Sequence, residues 1–198
     1  MEIPLIWTAV LSNDFDLART ALETANVDMP SNNDSLTPLM VSANHSKVEM
    51  VNFLIANGAN VNATSDSGMT PLMLAMNPMS EHTQAVVTAL IEAGADINAQ
   101  STGGNTALME ASHKGMLRQV MTLILAGAKL NVQNSFGETA LIVASMKGGE
   151  PGVIKALLIA GIDKTLKDVD GKTALDIANE HGDPALIAEL LAQSTVTS

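Results

Sequence analysis

The chain has 198 residues, no cysteine, 46% apolar but only 2% aromatic residues, and a formal net charge of −11. The missing cysteines exclude disulfides, thiolate zinc sites and cysteine nucleophiles. The acidity disfavours nucleic acid and anionic lipid and favours basic partners, and the shortage of rings excludes a site built on stacked bases.

Residues 1–31 read as a capping unit, with Ala9, Asn13, Leu17, Ala21 and Leu22 at helical positions. Residues 1–5 lack the basic segment of a secretory signal. The compartment is therefore the cytoplasm, or the periplasm if a signal has been removed. No apolar run approaches the ~20 residues of a membrane span.

From residue 32 a phrase recurs: Thr37-Pro38-Leu39-Met40, Thr70-Pro71-Leu72-Met73, Thr106-Ala107-Leu108-Met109, Thr139-Ala140-Leu141-Ile142 and Thr173-Ala174-Leu175-Asp176. The threonines lie 33, 36, 33 and 34 residues apart. Glycines run in step at Gly58, Gly94, Gly127 and Gly161. A period near 33 indicates an all-α solenoid of helix-turn-helix units, and such arrays make binding surfaces. The repeats are 32–64, 65–100, 101–133 and 134–167. Residues 168–193 form a C-terminal capping repeat, and 194–198 a polar tail. All of 1–198 reads as one domain.

The unit 101–133 shows the local logic. Gly103-Gly104 marks a turn. Thr106 is placed to cap a helix through its hydroxyl, and Gly115 interrupts that helix. A second helix is predicted from about 117 to 125, with Val120, Leu123 and Ile124 on one face. Gly127 ends it in the left-handed conformation. Two short insertions, near residues 77–82 and 148–151, fall between the helices of their units.

These residues resemble the ankyrin repeat, whose pattern is Gly-x-Thr-Pro-Leu-His, then an alanine pair and a glycine, then a leucine pair and Gly-Ala. The resemblance covers about residues 32–192. The family histidine, which implies a hydrogen-bonded bridge between units, is absent. Met40, Met73, Met109, Ile142 and Asp176 replace it, and the methionines are expected to compensate by packing alone.

The resemblance implies that hairpin tips and first helices line a concave binding face. Carried onto this sequence, it gives Asp34, Leu36, Asp66, Met69, Asn105, His113, Phe136, Glu138, Met146, Asp170 and Lys172 as partner-binding residues, with Asn33 and Lys147 beside them. Leu36, Met69 and Phe136 stand out as apolar where relatives are polar. Trp7 is a good interface residue type that also suits a covered core edge.

His45, His113 and His181 sit at matching places in alternate units. Units rise roughly 10 Å each, so ligands needed at about 2 Å cannot share a metal. No nucleophile elbow, phosphate loop or metalloprotease motif is present. The sequence predicts neither an enzyme nor a need for cofactor or metal. It predicts a monomeric interaction module whose acidic concave face occludes a basic partner protein. By resemblance to small stand-alone bacterial ankyrin proteins, that partner is a co-produced enzyme such as a secreted hydrolase. The chain would then be its inhibitor or immunity protein. The alternative is a passive scaffold or host-directed effector.

Overall fold

The computed structural model describes residues 4–31, 34–146 and 149–192. Asn33, Lys147 and the 194–198 tail lie outside them. Among the described residues there are twelve helices and no strand. They fall into two compact units, Met1–Asp96 and Ile97–Ser198.

The first unit contains α1 (Leu5–Ser12), α2 (Phe15–Leu22), α3 (Pro38–Asn44), α4 (Val48–Ala56), α5 (Pro71–Leu74) and α6 (Thr83–Glu92). α1, α3 and α5 pack in a row, and α4 packs on α6 behind them. The second unit repeats this plan with α7 (Ala107–His113), α8 (Leu117–Leu125), α9 (Ala140–Ala144), α10 (Pro151–Ile159), α11 (Ala174–His181) and α12 (Pro184–Ala192). There α7, α9 and α11 form one layer and α8, α10 and α12 the other. Small and flexible side chains fill the layers: Ala43, Met40, Met50 and Leu54 are fully buried in the first unit, and Ala111, Leu108, Leu123 and Leu141 nearly so in the second.

The recurring threonine acts as predicted. Each hydroxyl of Thr37, Thr70, Thr106, Thr139 and Thr173 accepts a hydrogen bond from the N–H three residues on, at 3.3 Å. Pro38 and Pro71 occupy the first helical position, where no N–H is needed.

One expectation is corrected. Met40 does not act by packing alone, because the Thr37 N–H donates to its Sδ at 3.4 Å. Asp176 closes its cap more strongly, accepting from the Thr173 N–H at 2.9 Å and the Thr173 hydroxyl at 2.7 Å.

The loops between repeats are stapled by short polar side chains. In the first unit the Asp28 carboxylate accepts from the Asn60 N–H, and Asn62 Oδ1 from the Asp96 N–H at 2.7 Å. In the second, Asn98 Oδ1 accepts from the Lys129 N–H and Asn131 Oδ1 from the Asp163 N–H. Each staple satisfies a backbone donor of the next repeat.

The N-terminal cap is tied down at two points. Lys47 Nζ donates to the carbonyls of Val10 and Leu11 at the end of α1, where a cation also suits the helix dipole. Phe15 and Phe53 meet edge-on, with centroids 5.8 Å apart. Trp7 is buried in this cap, so it serves the core edge.

The insertions shorten the first helix of each unit that carries one. α5 has four residues and α9 five, against seven in α3 and α7. The loop after α5 is nonetheless anchored: Asn77 donates to the Asn44 carbonyl, and its own carbonyl accepts from the Thr83 hydroxyl at 2.6 Å.

Removing the Thr139 hydroxyl strips the cap from a five-residue helix. Thr139→Ala should lower stability by about 1 kcal/mol, a fall of roughly 2–4 °C in Tm, measured by calorimetry.

The Asp176 carboxyl is held below its ordinary value of 3.8, first by the Thr173 N–H and then by the Thr173 hydroxyl. A carboxylate depressed by folding stabilises above its unfolded pKa and loses that contribution as pH falls through the folded one. Between about pH 5 and about pH 2, Asp176→Asn should therefore lose less Tm than the wild type. Equal losses in a pH series would remove this cap from the acid response.

Candidate partner-binding site

The hairpin tips are built by a second recurring feature. A short polar residue precedes each tip: Ser31, Ser65, Ser101, Asn134 and Asp168. Its side-chain oxygen accepts from a backbone N–H four or five residues later, on Leu36, Met69, Asn105, Glu138 and Lys172 respectively. These local bonds replace a ladder and fix the turn.

In the second unit adjacent tips also touch through their backbones. The Ser135 N–H donates to the Gly103 carbonyl, and the Val169 N–H to the Phe136 carbonyl, both at 2.9 Å. The approach is so close that only glycine fits. A Cβ on Gly104 would lie 2.9 Å from Asn134 Cα, and one on Gly137 would lie 2.9 Å from the Val169 nitrogen. Both also have positive φ.

Asn134 organises the centre of this row. Its Oδ1 accepts from the N–H groups of Phe136 and Glu138. Its amide nitrogen donates to Asn105 Oδ1 at 2.9 Å and Glu138 Oε2 at 2.7 Å. One buried side chain thereby fixes its own tip and binds it to the preceding one.

Around Asn134 lies a concavity of about 180 Å³. Five of the sequence-predicted residues line it: Asn105, His113, Phe136, Glu138 and Met146. Met109, Glu110 and Val143 complete its wall. Its volume is below the ~300–1,000 Å³ of sites for small organic ligands, and suits a side chain. Phe136 is 63% exposed at its rim. Glu110 pairs with Lys114 at 3.4 Å. The chamber thus joins thioether, aromatic and carboxylate surfaces, a set suited to an aliphatic chain ending in a cation.

The other candidates lie elsewhere. Asp34 and Asp66 are exposed on neighbouring tips of the first unit, joined by a bond from the Asp66 N–H to the Asp34 carbonyl. Leu36 and Met69 are half-buried there, unlike Phe136. Asp170 and Lys172 occupy the last tip, where Lys172 Nζ contacts Glu180 at 2.9 Å. That bond raises the Lys172 pKa.

The histidines end first helices, and His45 Nδ1 turns back to the Val41 carbonyl. Among the described residues no three acidic or histidine side chains gather as metal ligands, and no helix is long and apolar enough to cross a membrane.

Sequence reading missed Met109, Glu110, Asn134 and Val143. The signal for Asn134 was present: in the last four repeats a Ser, Asn or Asp stands five residues before the threonine. It also missed how the charge divides. Residues 1–96 carry two Lys/Arg against eleven Asp/Glu, a net −9, and residues 97–198 carry eight against ten, a net −2.

The ankyrin repeat profile, in three copies, matches residues 5–101 and 108–197. The chain belongs to the ankyrin repeat family. It is similar to the crystal structure of an ankyrin repeat domain from Acinetobacter baumannii, with 29% identity, 94% of this chain and 96% of that one covered, and a TM-score of 0.82. It is also similar to alpha-latrocrustotoxin-Lt1a of Latrodectus tredecimguttatus, 31% identical over 73 residues. That stretch is 36% of this chain and 5% of the toxin, so the chain spans a small part of that relative. Ankyrin repeats of this kind are protein–protein interaction modules, typically without enzymatic activity.

Asn134→Ala should remove four hydrogen bonds at once and leave two part-buried tip N–H groups unpaired, costing about 1 kcal/mol or more. Amide exchange should rise at Phe136, Glu138 and Val169 while α4 stays protected.

Proposed function

We propose that the chain binds a basic protein partner through the second unit's tips and first helices, and occludes it. The observation that carries this is the chamber around Asn134, which gathers five independently implied residues. A lysine or arginine of the partner enters beside Glu138, with its aliphatic stem against Met109 and Met146, and competes with Lys114 for Glu110. Phe136 covers it from the rim, where a cation over the ring adds ~0.5–2 kcal/mol. The net −9 of the first unit attracts such a partner from a distance and raises the association rate. A partner engaged this way has its basic surface blocked, which supports inhibition of a co-produced enzyme, as an immunity protein does, over passive tethering.

Affinity capture from the source organism at low salt, repeated at about 0.5 M salt where screening shortens to a few Å, tests this. The captured protein should be basic, should be depleted at high salt, and should lose activity when the chain is added back. A captured protein whose activity is untouched would favour scaffolding.

Phe136→Ala should weaken binding about tenfold or more with Tm unchanged, as for an exposed aromatic anchor. Glu138→Lys should weaken it further by placing like charges together. Unchanged affinity in both variants, read by calorimetric titration, would remove the chamber from the interface.

A further inference from the structure

The opposite layer of the second unit carries a feature that tip binding does not use. α8 and α10 lie side by side, with Val120 and Leu123 of one and Val153, Ile154 and Leu157 of the other buried inward. Their outward faces are apolar as well. Leu117, Met121 and Leu125 on α8 are 36%, 50% and 86% exposed, and Ile159 on α10 is 68% exposed. With Gly152 and Ala156 they line an open groove of about 420 Å³. A helix at a protein surface normally turns a polar face to water, so a contiguous apolar groove is an interaction surface.

The helices that form it carry one cation each, and one carboxylate, Glu150, stands at the head of α10 beside Gly152. α8 holds a single charged residue, Arg118, and α10 a single one, Lys155, which lines the groove. Both are exposed, and among the described residues neither forms an ion pair. Glu150, at the start of α10, accepts from the Gly152 N–H. With a net charge of −2, this unit opposes an acidic visitor far less than the first unit would.

The occupant's backbone is constrained too. Helices α8 and α10 spend their own N–H and C=O groups internally, so the groove offers no edge to pair with a strand. A segment buried there must satisfy its own backbone bonds, as a helix does. Nine helical residues span about 13 Å, enough for anchors at i, i+4 and i+7. Packing against a second copy of the same face would set Arg118 and Lys155 against their duplicates.

We propose that this groove receives an amphipathic helix of a partner protein, its apolar stripe on Met121 and Ala156 and its flanking carboxylates on Lys155 and Arg118. The site is separate from the tip chamber and does not depend on it.

The probe is a 16-residue helical peptide with leucines at i, i+4, i+7 and i+11 and glutamates on both flanks, compared with the same peptide carrying lysines. With isotope-labelled full-length chain, the glutamate peptide should bind at least about tenfold more tightly. Its chemical-shift changes should centre on Leu117, Met121, Ala156 and Ile159, leaving Phe136 and Asn105 still. Lys155→Glu should reverse the preference, and Met121→Lys should abolish binding with Tm unchanged. Equal binding of the two peptides, shifts centred on the tips, no binding of either, or a dimer in solution broken by Met121→Lys would overturn the proposal.

Discussion

Among the described residues no helix is long enough to stand alone. The longest has ten residues and the shortest four, against the roughly 12–15 needed for even marginal stability in water. Every other device follows from that limit. The threonine caps remove the cost of an unpaired first turn, and the glycines close the last one. The Asn62, Asn98 and Asn131 staples bind each loop to the next. Tip-to-tip bonds at Ser135 and Val169 do the same at the other end of the second unit's repeats. A repeat is stable because its neighbour completes it.

Features that recur at fixed offsets were legible in the sequence. The threonine and glycine phrases located α7 and α8 to within a residue or so, because capping is local chemistry that one residue type performs best. The staples were harder to read. Asn62 and Asp96 are far apart along the chain, and nothing in either says that they meet. The shortening of α5 and α9 was also hidden, since an insertion shows where residues are added but not which helix yields them. Candidate site residues were legible as positions, not as a group. That Phe136 is open while Leu36 and Met69 are half-buried depends on how each tip packs, and the letters alone treat the three alike.

The division of charge changes what acidity means here. A net −11 spread evenly would make every face attractive to cations. Concentrated in residues 1–96, it leaves the second unit nearly balanced, so its short-range chemistry decides what docks there. The proposed binding would thereby divide long-range attraction and close recognition between different parts of the chain. The first falls with salt over a Debye length of about 8 Å at physiological ionic strength, and the second depends on desolvated contacts that salt screens much less.

Within the second unit the two helix layers present different surfaces. The tip chamber is lined from α7, α9 and the hairpins, and its rigidity rests on Asn134. The outer groove is lined from α8 and α10, whose inward faces hold the core. Glu110 and Met146 are half-buried in the first, whereas Met109 and Val143 are buried and serve the core as well. A solenoid separates its surfaces in this way because each helix shows one stripe to the core and another to solvent. Phe136 and Met121, both exposed, sit on different stripes of different layers, so the stability of the fold constrains neither. An apolar side chain held in water at each of these places fits the two proposed docking sites and is not required by the fold.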